Sequence, residues 1–167
     1  YVVTNGSLTS SGGNLFFYNM GSAMTNAAAI TGGGVSVTTV GDMKFSGNNT
    51  FGGSLYVNSG TLTLGGINSS MSLATVSPGA WLGLGLSNAL PEPLTISLLY
   101  DGEEYGRVTN SFANAPIRRL ILDGVEQPYG TYGAAGSGCQ FTNNSYFSGT
   151  GTLLVQPMAR GTIFRFR

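Results

Sequence analysis

Histidine is missing from this 167-residue sequence, and there is a single cysteine, Cys139. Without an imidazole there is no Ser-His or Cys-His nucleophilic pair and no His-bearing metal site. One thiol makes neither an internal disulfide nor a thiolate cluster, so Cys139 predicts either a small apolar residue packed in the C-terminal region or a link between two chains. Charge is scarce too: seven Lys and Arg balance seven Asp and Glu, and only 8% of residues are charged, against about 25% in an average soluble domain. A neutral chain with no basic patch has nothing to displace counterions from phosphates, which excludes nucleic acid as a partner. The same lack of mutual repulsion favours contact between copies. No apolar run reaches the roughly 18 residues of a membrane-spanning helix, so no transmembrane segment is expected. The chain opens at Tyr1 with no Met and no basic and apolar leader, which predicts a removed signal or a piece of a longer chain.

What fills the space left by charge is glycine, 27 residues of it, with Ser, Thr and Asn. Disorder does not follow, because 41% hydrophobic content with 9 Phe, 8 Tyr and 1 Trp is enough to build a core. The length suits one domain, or one with a small appendage.

Residues 45–66, FSGNNTFGGSLYVNSGTLTLGG, organise the reading. Leu55 and Val57 alternate with Ser54 and Tyr56, and Leu62 and Leu64 with Thr61 and Thr63, which is the period of two of a strand. Asn58-Ser59-Gly60 separates the two runs, and Gly52-Gly53 and Gly65-Gly66 bound them, supplying chain reversals. The unit is strand, corner, strand, corner.

The Gly47-Asn48-Asn49-Thr50-Phe51-Gly52-Gly53 corner and the Gly60-Thr61-Leu62-Thr63-Leu64-Gly65 strand resemble the autotransporter-associated β-strand repeat of bacterial surface proteins. Residues 120–155, with LILDGVEQPYGTYG and then YFSGTGTLLV, resemble the segment that often closes such proteins. The resemblance implies a secreted or surface-displayed β-structured bacterial protein. It departs from the family in showing one clear repeat, and in the twelve residues that follow Val155. Sequons at Asn5, Asn48, Asn68 and Asn143 carry weight only in a glycosylating host.

Elsewhere the pattern is similar. Leu15 to Tyr18 reads as a strand covered on both faces, and Met20 to Ile30 is the one place for a helical turn, ended by Gly32-Gly33-Gly34. Val35 and Val37 alternate with Ser36 and Thr38. In the run from Ala80 to Leu86, Ala80, Leu82, Leu84 and Leu86 share one face, while Trp81 shares the other with Gly83 and Gly85. The indole is read as cover for bare backbone or as a sugar-stacking platform. Only Asp42 and Lys44 are charged among residues 1–90, and Pro91-Glu92-Pro93 marks a boundary to a more charged half. There, Asp101-Gly102 and Asp123-Gly124 predict two hairpins. At the C-terminus, Thr162, Phe164 and Phe166 alternate with Ile163 and the arginines, a strand suited to joining a sheet edge of its own chain or a neighbour's.

The expectation is an all-β fold: a β-solenoid over 1–90 with a hairpin-rich C-terminal cap over 91–167, in one continuous unit, with an antiparallel sandwich or jelly roll as the alternative. The expected function is that of a non-enzymatic extracellular structural protein that associates with itself, as a filament or surface-layer subunit or as a passenger segment. Tyr1, Val2 and Val3 and Thr162, Ile163, Phe164 and Phe166 are its candidate assembly strands. No catalytic residue, metal ligand or cofactor is assigned. The alternative is a carbohydrate-binding or adhesive module that stacks a surface glycan on Trp81, Tyr56, Tyr105, Tyr129 and Tyr132, with Tyr100 beside them. The carboxylates Asp101, Glu103, Glu104, Asp123 and Glu126 are the groups a glycoside-cleaving or Ca²⁺-binding site would need; a polysaccharide-cleaving solenoid is the third reading.

Overall fold

A computed structural model describes residues 2–3, 6–91 and 94–157. It contains strands and no helix among those residues, arranged as two seven-stranded sheets, one of four strands and one of three. Pairing is parallel between consecutive coils, which decides for the solenoid over the sandwich: Met43–Phe45, Thr61–Leu64, Trp81–Leu84 and Arg107–Asn110 stack in register along one side. Val35–Val40, Ser54–Ser59, Leu73–Val76, Thr95–Leu98 and Arg119–Leu122 stack along another. The third side begins with Ser7–Thr9, Ala29–Gly32 and Thr50–Phe51.

Alternation drives the core. Val37, Leu55, Ala74, Ile96 and Leu120 are matched in register and buried, as are Met43, Leu62, Leu82, Val108 and Phe147. Each coil therefore buries its apolar row against those before and after it, and no coil has a core of its own.

The corners hold coils at strand spacing, about 4.8 Å apart. At Gly66 a Cβ would collide with the Gly47 carbonyl in the preceding coil. Gly60, in the Asn-Ser-Gly corner, takes a left-handed φ of 69° and lies against the Gly41 backbone, a combination only glycine tolerates.

Buried asparagines satisfy the corner backbone. Asn49 Oδ1 accepts from the Ile30 N–H at 2.9 Å, and its Nδ2 donates to Gly47 O and to Asn68 Oδ1. Asn68 then donates to Gly66 O and to Ala89 O in the next coil. Asn26 and Asn110 close shorter loops, each bonding the backbone two residues on and Asn110 also Thr152 O. These side chains bond corner backbone outside the strand ladders, and between Asn49 and Asn68 they add to an isolated parallel bridge.

Several expectations are corrected. The stretch predicted as a helical turn is two strands, Met24–Asn26 and Ala29–Gly32, because coil stacking outweighs the helix preference of its alanines. The strand Gly13–Tyr18 is covered on one face only: Leu15 and Phe17 pack on the core, and Phe16 and Tyr18 are 71% and 66% exposed. Leu86 is exposed, since its strand ends at Leu84. Thr95–Leu98 joins the parallel stack, and Asp101-Gly102 turns a small loop in place of a two-stranded hairpin, held by one Tyr100–Tyr105 bridge.

Parallel ladders also run across position 90 unbroken, so coils continue to Leu122. Glu92 and Pro93 of the predicted boundary lie outside the described residues. The hairpin at Asp123-Gly124 does form, with φ of 47° and 77° at the turn. Its second strand, Val125–Glu126, runs antiparallel and lies at the edge of that sheet, and Gly130–Gly133 runs antiparallel to Thr152–Val155 beside it. No helix of the described residues is long and apolar enough to cross a membrane.

Candidate functional site

Two surfaces stand out from the polar exterior. The first is a shallow cleft of about 210 Å³ on the outer face of the sheet that carries Trp81–Leu84 and Arg107–Asn110, lined by Gly79, Trp81, Glu103, Glu104, Tyr105 and Arg107. Strand alternation sends Leu82 and Val108 into the core, which leaves Trp81 and Arg107, paired in register, on the outside. The Arg107 guanidinium lies over the indole, 5.0 Å from its centroid. Trp81 therefore has a cation as its neighbour, while Gly83 is flanked by Thr63 and Thr109. The cover predicted for bare glycine backbone is supplied by threonine.

The second wall of the cleft is the loop after Thr95–Leu98. Asp101 Oδ1 accepts from the Glu104 N–H at 2.9 Å and the Glu103 N–H at 3.0 Å, and these bonds hold its carboxyl below the usual carboxylate range. Tyr100 stacks on Tyr105 at 4.3 Å, and Tyr105 meets the buried Tyr146 edge-on at 4.8 Å. Three rings thus anchor a loop that presents Glu103 and Glu104 to the cleft. The bare Cα of Gly79, at a left-handed φ of 72°, leaves room for the Glu104 carboxylate, which a Cβ would meet.

The second surface is apolar and lies at the opposite end of the stack. Phe16, Thr38 and Tyr56 are in register on the outer face of adjacent strands, and Thr38 between the rings is only 6% exposed. Tyr18 and Met20 continue the patch, the tyrosine hydroxyl donating to the Met20 sulfur at 2.8 Å. The strand that carries Phe16 and Tyr18 is the last of its sheet among the described residues and pairs on one side only.

Of the candidate glycan-stacking residues, the structure brings Trp81 and Tyr105 into one cleft. Tyr56 stands on a different sheet, and Tyr129 is exposed outside the cleft. Tyr132 is excluded: it is 3% exposed, stacked on Phe141 at 4.8 Å, and its hydroxyl donates to Pro128 O. Burial raises its phenol pKa. Of the candidate assembly strands, Val2–Val3 pairs in parallel with Met24–Asn26. Tyr1, Thr162, Ile163, Phe164 and Phe166 lie outside the described residues.

The remaining candidate carboxylates lie in the C-terminal hairpin. Asp123 occupies the hairpin turn, and Glu126 accepts from Arg119 Nε at 2.9 Å in a two-pronged pair that lowers its pKa. No group of three His, Cys, Asp or Glu suited to a metal occurs among the described residues. Cys139 is half-buried and free, and its thiol donates to Phe141 O at 3.1 Å.

Sequence reasoning missed Arg107, which becomes a neighbour of Trp81 only once coil lengths are known. It also missed Phe16 and Tyr18, whose exposure was encoded in a simple alternation read as a doubly covered strand. Comparison with protein-family models, with curated proteins and with solved structures finds no match.

Proposed function

We propose that this chain is a non-enzymatic structural protein of the bacterial exterior, and that it associates with a second copy of itself through the edge of its first coil. The observation that carries the reading is the contrast between the two ends. At one, the six-residue strand Gly13–Tyr18 is paired on one side only among the described residues, beside exposed Phe16, Tyr18 and Met20. At the other, the outermost strand is Val125–Glu126, only two residues long, antiparallel to Arg119–Leu122 and carrying the Arg119–Glu126 ion pair. A long strand edge flanked by apolar side chains is a template for another chain, whereas a very short edge strand carrying charge discourages such pairing. The scarcity of charge supports close approach of copies. The likeness of residues 45–66 to autotransporter-associated repeats supports the extracellular setting.

The test is the mass of the protein in solution over a rising concentration series at neutral pH, with electron microscopy of the same samples. Assembly that grows with concentration is the expected outcome. A monomer at every concentration would end the self-association reading.

A further inference from the structure

We propose that the cleft between Trp81 and the Glu103–Glu104 loop is a binding site for a neutral sugar ring, a role that does not depend on how the chain assembles. The argument runs from what each candidate ligand would meet. A cation entering the cleft is drawn to Glu103 and Glu104 but is opposed by the Arg107 guanidinium, already seated on the indole. An anion meets two carboxylates that have no basic partner among the described residues, where the ion pair found is Arg119–Glu126. A neutral polyhydroxylated ring conflicts with neither. Its hydroxyls donate to Glu103 and Glu104 and accept from Arg107, and its C–H groups meet the ring edges of Trp81 and Tyr105 that Arg107 and Tyr100 leave uncovered. Mixed donors and acceptors beside aromatic ring edges are what distinguish such a ligand from a simple ion.

Size and rigidity agree. The cleft volume of about 210 Å³ is below the roughly 300 Å³ at which pockets for drug-sized ligands begin, so it suits one ring with the rest of a chain outside. The walls are held before any ligand arrives: Asp101 clamps two backbone N–H groups of the loop, and Tyr105 is fixed between Tyr100 and Tyr146. Little ordering is then left to be done on binding. Gly79 belongs to the same arrangement, since any side chain there would press on Glu104.

Trp81 is the sole tryptophan, so emission excited where indole but not phenol absorbs reports on the cleft alone. The experiment titrates the full chain with methyl glucoside, methyl galactoside, methyl mannoside and their β-linked disaccharides. Glucuronate and glucosamine serve as charged counterparts, and saturation-transfer NMR is the second readout. A saturable change with at least one neutral sugar, weaker or absent with the charged ones, is expected. The double variant Glu103→Ala/Glu104→Ala, altered only on an exposed loop, should weaken that binding by about tenfold or more, as loss of hydrogen bonds to charged groups does. Tyr129→Ala, outside the cleft, should bind as the parent does. The proposal is overturned if no neutral sugar gives a saturable change by either readout, if a charged sugar binds more tightly than its neutral counterpart, or if the double variant binds like the parent.

Discussion

Asn49 and Asn68 lie in consecutive coils with their side-chain amides joined, Nδ2 of the first donating to Oδ1 of the second across 2.8 Å. The bond is buried, and it reinforces corners whose backbones are joined by a single isolated bridge. Replacing Asn68 by Ala leaves the Gly66 and Ala89 carbonyls without its amide, at a cost of roughly 1–3 kcal/mol. For a chain of this size the melting temperature should fall by about 2–4 °C per kcal/mol in calorimetry. Asn58→Ala, on an exposed corner, should stay within about 0.5 kcal/mol of the parent.

Gly66→Ala should destabilise through a different cause. Its new methyl meets backbone of the coil beneath, which has no rotamer to yield, so two coils must separate or tilt. About 1–3 kcal/mol is expected, as for overpacked cores. Gly33→Ala places a methyl in open space at an ordinary φ and should cost little. Equal losses in the two variants, measured by denaturant unfolding, would refute the close-packing explanation of the glycine corners.

Phe16→Ser and Tyr18→Ser together should weaken self-association without lowering the melting temperature measured at low concentration. Both rings stand on solvent in the isolated chain and contribute little to its core. Sedimentation of parent and variant side by side decides the matter. Association unchanged by the pair would remove this edge as the contact.

Acid should loosen the closing hairpin before the body of the stack. The hydrogen bond from Arg119 holds Glu126 below the usual carboxylate range; desolvation opposes it, and the charges of Arg119 and Arg118 add to it. A carboxylate depressed in the folded state contributes stability above its unfolded pKa and loses it as pH falls through the folded value. The window therefore opens below about pH 4. Amide exchange in residues 119–126 should accelerate there, and Glu126→Gln should abolish that part of the pH dependence.

Much of the architecture is readable along the chain because strand alternation and corner glycines are local signals. Leu55, Val57, Leu62 and Leu64 are all buried as their period requires, and the Asp123-Gly124 hairpin forms where its dipeptide stands. What local signals do not carry is coil length. The Trp81–Arg107 neighbourhood depends on a loop inserted between their strands, and the parallel placement of Thr95–Leu98 depends on the strands above and below it. Asp101-Gly102 looked like a hairpin for that reason: its turn chemistry is genuine, but coil stacking had already taken the strands on either side. Tyr132 illustrates the same limit, since aromatic identity does not distinguish a ring for a ligand from one stacked on Phe141.

The shortness of Val125–Glu126 has a consequence for which end of the stack a second copy would use. An incoming strand would meet two residues there, one of them the Glu126 carboxylate held by Arg119, and six residues flanked by exposed rings at Gly13–Tyr18. If copies associate as proposed, the longer edge would be the seam and the short one would be left outside it.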